Sequence, residues 1–157
     1  MKSLTLTQPW ATLVAIGAKR IHTRGWSIRY RGPLALHAAK GFPRWARETC
    51  LEAEFAAELG PNPLPTGAVL ATCRLVACIP TRELQQNRVI QMDPAARCPD
   101  FVMTDLERLF GDYEPGRWAW LLADVKPLPE PVPAKGALGL WEWDFEAAEQ
   151  TAEEARR

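Results

Sequence analysis

The first 47 residues contain no aspartate or glutamate. The chain as a whole is neutral, with 19 Lys plus Arg against 19 Asp plus Glu, so the total hides a segregation. Nine of the cations fall in that acid-free stretch, and every acid lies from Glu48 onward. Such asymmetry predicts an anion-binding surface in the N-terminal third; the alternative is an incidental run of solvated charge. Aromatic residues interleave with the charges, which favours the first.

Other absences narrow the class. No apolar run approaches the ~20 residues of a membrane span. Met1-Lys2 is followed by an alternating stretch and not by an apolar one, so a cytoplasmic protein is expected. The four cysteines, Cys50, Cys73, Cys78 and Cys98, form no C-x-x-C pair, and the only histidines are His22 and His37. Zinc ligation wants tighter grouping, so no metal is expected and the thiols read as buried and free. Cys73 and Cys78, five apart on a strand, are expected on opposite faces. There is no nucleophile elbow and no phosphate-cradling glycine loop, so no cofactor is expected.

What is present suits one domain. The 157 residues are 47% hydrophobic, enough to bury a core. Ser3 to Thr7 alternates as a half-buried strand. Thr7 is a candidate cap, and Pro9 opens a helix to about Ile16, ended by Gly17. Lys19 to Ser27 reads as a strand with Arg20, His22, Arg24 and Trp26 on one face. Leu34 to Ala38 is a short apolar strand. Pro43 to Leu59 reads as one helix with Trp45, Leu51, Phe55 and Leu59 on its stripe. Ala68 to Ile79 is a long strand, and Pro80 to about Asp100 is irregular with one helical turn. Thr104 to Phe110 is a short helix capped by Thr104. Arg117 to Val125 is a strand, and Pro127 to Pro133 is too proline-rich for regular ladder pairing. Leu138 to Phe145 closes a barrel. The expected fold is α+β, mainly β: a mixed barrel with flanking helices over residues 1–145, then an acidic helical tail over 146–157.

Three groups could meet at one site. Gln8 and Trp10 stand at the mouth of the first helix. Lys19, His22, Arg24 and Trp26 lie on the second strand, and His37 and Lys40 at the end of the third. A base can stack on an indole, Lys or Arg can hold its phosphate, and the Gln8 amide can read a base edge. The competing readings are a core role for either indole and a hydrogen-bonded structural role for His37. Trp118, Trp120, Trp141 and Trp143 read as core.

Gly17-Ala18-Lys19-Arg20-Ile21-His22-Thr23-Arg24 resembles the ASCH signature Gly-x-Lys-x-x-Glu-x-Arg. The blocks Leu4 to Trp10, Tyr30 to Lys40, Gly67 to Thr72 and Gly116 to Leu121 are similar to the same family. The resemblance implies a PUA-like mixed β-barrel with a cleft for RNA or a modified nucleoside. Family members are proposed to act in RNA metabolism. One branch removes the acetyl group of N4-acetylcytidine with a Lys, a Thr and a Glu, and ribonuclease activity is claimed for others. Here His22 stands where the signature has Glu. The cleft thereby loses a carboxylate, and nearby cations should hold the imidazole neutral.

Three functions follow, the last being an interaction domain with no nucleic-acid role that makes its contact through the acidic C-terminal helix. The first is a binding domain for RNA, single-stranded nucleic acid or a modified nucleoside. The second is a hydrolase, either a nucleoside amidohydrolase or a ribonuclease, with Lys19 and His22 as catalytic residues. Lys19 and His22 are three apart, so on a regular strand they face opposite ways. Both reach one ligand only if the chain turns after Gly17.

Overall fold

The computed structural model describes residues 1–84 and 88–157, except the side chain of Ala152. The expectation of an irregular segment over 80–100 therefore lies outside the described residues at 85–87. Five strands build the main sheet before the C-terminal region: β1 (Lys2–Leu6), β2 (Ile21–Arg24), β3 (Gly32–Ala38), β4 (Ala68–Pro80) and β7 (Trp118–Pro133). The sixth is β8 (Leu140–Glu142), and β5 (Val89–Ile90) pairs with β6 (Phe101–Val102) apart from them. The helices are α1 (Trp10–Ala15), α2 (Arg44–Thr49), α3 (Ala53–Leu59), α4 (Asp105–Leu109) and α5 (Phe145–Arg156). No helix among the described residues is long and apolar enough to cross a membrane.

The sheet order is β2-β7-β4-β3-β1-β8. Only β1 and β3 run parallel; the other pairs are antiparallel. The mixed α+β class is as expected, but the closed barrel is not. Strands β2 and β8 end the sheet and do not pair with each other. One cause is length: β8 covers only Lys2 to Leu4 of β1, and the Thr5 end of β1 extends past it. There a side chain spans the seam, with Arg24 Nη2 donating to the Thr5 carbonyl at 2.6 Å.

Leucine and alanine from β1, β3 and β4 fill the largest core cluster, with Trp120 and Leu122 from β7. Each large side chain buried there contributes about 1.5–3 kcal/mol. Trp120 and Trp143 are buried as expected, while Trp118 and Trp141 are half-buried against the core. Cys73 and Cys78 pack on the same cluster and not on opposite faces. The β4 register shifts between Thr72 and Arg74 and again between Leu75 and Ala77, which resets the alternation.

Two further expectations fail for identifiable reasons. The helix expected over 43–59 breaks at Glu52, whose backbone is extended. Thr49 Oγ1 and Cys50 Sγ donate back to the Trp45 and Ala46 carbonyls, a bonding pattern that competes with helix continuation. Phe55 keeps its buried place, but Trp45 and Leu51 turn out to solvent. The proline-rich segment does pair: Pro127 lies opposite Ala71 and Val132 opposite Val69. Its prolines recur at every second residue, so the missing N–H groups share one edge. The other edge donates to β4, continuing in Ala134 N–H to the Gly67 carbonyl at 3.0 Å.

Candidate functional site

Lys19 is placed by the end of α1. Gly17 takes φ +81, a conformation costly for other residues, and its N–H returns to the Val14 carbonyl. The Lys19 N–H then bonds the Leu13 carbonyl at 3.0 Å. The expected turn after Gly17 is thus present, and Lys19 precedes β2 instead of lying in it. Its side chain is 1% exposed, and Nζ makes no hydrogen bond among the described residues. Burial lowers its pKa from 10.5 to about 8, against the opposing pull of Glu107.

Glu107 supplies the carboxylate that the N-terminal third lacks. Thr104 caps α4 through the Glu107 N–H at 3.1 Å, which fixes the turn carrying this side chain. The carboxylate accepts from the backbone N–H of Arg20 at 3.1 Å and of Ile21 at 2.9 Å. It also lies 3.7 Å from Lys19 Nζ. The anion therefore ties the start of β2 to α4 and partly offsets the buried cation.

His22 and Lys19 line one cavity of about 290 Å³ with Trp10, Gly111 and Arg117. Arg24 Nε donates to His22 Nε2 at 3.0 Å, so that nitrogen is an unprotonated acceptor. Burial, then Arg24, Lys19 and Arg117, hold the His22 pKa well below 6.5. Arg117 reaches the site by donating from Nη2 to the Thr23 carbonyl at 3.3 Å and from Nε to the Asp112 carbonyl at 3.1 Å.

A second cavity, about 530 Å³, continues from the first along the open seam and shares Trp10, His22, Thr23 and Arg117 with it. Trp26 is 40% exposed at its wall, held edge-on to Trp120 with centroids 4.8 Å apart. The Arg24 guanidinium lies 5.9 Å from the Trp26 ring centre. Trp10 is anchored by its indole N–H to the Phe110 carbonyl at 2.9 Å, and Trp45 lies beside it at 5.7 Å. Trp45, in the first turn of α2, lines this wall as well.

The structure thus brings Trp10, Lys19, His22, Arg24 and Trp26 together. It places three expected residues elsewhere. Gln8 is fully buried and spends its amide on Thr12 and the Pro65 carbonyl. His37 is 1% exposed and held on both ring nitrogens. Its Nε2 lies 2.8 Å from the Ala134 carbonyl, so it carries the proton and donates. Thr5 Oγ1, which accepts from Trp141 Nε1 at 3.0 Å, lies 3.1 Å from His37 Nδ1. Lys40 is exposed and lines a third cavity, of about 1000 Å³, on the far side of Thr5.

Glu107, Arg117, Trp45 and Gly111 join the site without a signal in the sequence that marks them for it. Arg117 stands next to the strand motif Trp118-Ala119-Trp120, which is legible, but its reach across to Thr23 is not. Glu107 has no local signal beyond the Thr104 cap three residues before it. Among the described residues no cluster of His, Cys, Asp or Glu could hold a metal ion. The buried Cys73 thiol has its pKa pushed up to about 12 by burial, which makes it an inert packing group.

Comparison with known proteins agrees with this architecture. Activating signal cointegrator 1 of Mus musculus is 31% identical over 89 residues, 54% of this chain and 15% of that protein. The Homo sapiens protein of the same name is 30% identical over the same shares. The match thus spans only a small part of these relatives' length. The crystal structure of a single-site mutant of ZmASCH from Zymomonas mobilis superposes with a TM-score of 0.50 at 15% identity, covering 98% of this chain and 94% of that one. At that identity the likeness speaks to the fold. The sequence pattern of the ASCH domain matches residues 4–132, and the chain belongs to the ASCH domain family.

Proposed function

We propose that the cleft beside Lys19 binds RNA through an unpaired base or a modified nucleoside. The observation that carries this reading is the Lys19 ammonium, buried without a hydrogen-bond partner among the described residues at the wall of a cavity. A buried unsatisfied cation costs free energy that an oxygen-bearing ligand would recover. Around it stand the indoles of Trp10 and Trp26, on which a flat ring can stack, and Arg24 and Arg117, which can hold phosphate. The acid-free N-terminal third and the family's implied role in RNA metabolism support the same choice.

The test is isothermal titration of a short single-stranded RNA at low and high salt. Affinity should fall with salt, because phosphate contacts release counterions. Lys19→Met should weaken binding by about tenfold, the cost of one charge-assisted hydrogen bond. RNA affinity independent of both salt and Lys19 overturns the proposal.

One observation favours a second reading, a hydrolase acting on an acylated nucleoside or on RNA. An amine whose pKa is about 8 is partly neutral near physiological pH and can accept a proton. In that reading Lys19 is the base, His22 assists through its neutral ring, and Arg117 or Arg24 steadies the developing oxyanion. Acetate release from N4-acetylcytidine, abolished by Lys19→Ala and kept by His22→Glu, would support it. Binding without turnover leaves only the first reading.

A further inference from the structure

The third cavity is not isolated. It shares Thr5, Ala137 and Leu138 with the second, as the second shares Trp10, His22 and Arg117 with the first. The three therefore follow one another along the seam that keeps the sheet open. No Asp or Glu among the described residues lines the second or third cavity. Their cations are Arg24 and Arg117 at the near end and Lys40 and Lys135 at the far end. Lys40 and Lys135 are exposed, and neither makes an ion pair with a described residue.

Apolar surface lies along the same line. Trp26 is 40% exposed, Trp45 58% and Leu138 99%. Leu138 lines both the second and the third cavity, so its exposure falls at their junction. A full side chain left in water costs free energy that a stacked or packed base removes. The loop that carries it is fixed: a Cβ on Gly136 would lie 2.6 Å from His37 Cε1 and 2.7 Å from Thr5 Oγ1. His37 and Thr5 thus seat this loop over the seam.

Resting on the reading of the cleft given above, we propose that the three cavities form one track for a single RNA strand, with Lys40 and Lys135 holding a backbone phosphate at the end far from Lys19. A free nucleoside would fill the first cavity and leave the lysine pair and Leu138 unused. Alternating cations and apolar walls, free of acids along the second and third cavities, are what a single strand requires, since its phosphates and base faces alternate along it. The ligand is accordingly a strand of several nucleotides and not a mononucleotide.

The test is fluorescence anisotropy with labelled oligoribonucleotides of one, two, four and six nucleotides. Affinity should rise about fivefold or more when the strand becomes long enough for one further base to stack. The Lys40→Ala/Lys135→Ala protein should lose that gain and keep the affinity of the mononucleotide. Its salt slope on the longest strand should be shallower by about 0.7 for each phosphate that the lysines no longer hold. Both lysines are exposed, and circular dichroism should show an unchanged fold. Equal affinity for mononucleotide and hexanucleotide overturns the track and leaves the cleft reading standing. An equal loss of mononucleotide binding in the double variant also overturns it. Absence of binding to every length overturns both.

Discussion

The Nζ of Lys19 lies 3.7 Å from Oε1 of Glu107, and both side chains are buried. The separation is too long for a hydrogen bond, so the carboxylate steadies the cation without satisfying it. Its own hydrogen bonds go to the backbone of Arg20 and Ile21.

Glu107→Gln should therefore destabilise the protein by about 3 kcal/mol at pH 7, because a buried cation is left uncompensated. Adding Lys19→Met should recover most of that loss. The Lys19 pKa is held at about 8, below its ordinary 10.5, so the unfolded chain binds more protons between those values. This group's contribution to stability accordingly rises across that window. The gap between wild type and Glu107→Gln should narrow above about pH 8, where the lysine is neutral in both. Urea titrations at pH 7 and pH 9 check this. A gap unchanged with pH, or no recovery in the double variant, would show that Glu107 acts only through its backbone contacts.

His22 should make the fold sensitive to acid. Its pKa is held well below 6.5 by burial and by Arg24, Lys19 and Arg117. As pH falls below 6.5 the unfolded chain takes up the proton and the folded chain does not, so stability is lost. The loss from this residue is at most about 1.4 kcal/mol per pH unit. Thermal melts between pH 7 and pH 5 should show a steeper fall for wild type than for His22→Gln. Equal falls would place the acid sensitivity elsewhere.

Much of the fold was legible because its signals are local. The Gly17 stop, the Thr104 cap, the alternating strands and the Trp120 core position all follow from period and turn chemistry. The break in the helix and the open barrel were not, because both depend on interactions that no local pattern announces. Cys50 and Thr49 side chains compete with the helix only once it begins to form, and nothing in β2 or β8 signals that they will not pair. In the site, Lys19, His22, Arg24 and the two indoles were legible from one crowded stretch. Gln8 and His37 lie in the same N-terminal third but turn inward, where Thr12, Thr5 and Ala134 hold them. Glu107 and Arg117 arrive from more than 80 residues away, and no spacing rule spans that distance.

Gly136→Ala should disturb the seam without touching a charge. The added methyl would press on the His37 ring and the Thr5 hydroxyl, which are hydrogen-bonded to each other. Overpacking of this kind costs about 1–3 kcal/mol. Calorimetry should show a lower Tm, and RNA binding should weaken because the loop carrying Leu138 moves. An unchanged Tm would mean that the loop sits less tightly on His37 than these distances require.

The most direct measurement of the central claim is amide and indole chemical-shift mapping of the labelled protein during titration with a short single-stranded RNA. The account predicts saturable shifts at Thr23, Gly111 and the indole N–H groups of Trp10 and Trp26, which in Lys19→Met need about tenfold more RNA to saturate. Shifts confined to α5 or spread without saturation, with Thr23 and Gly111 unmoved, would contradict it.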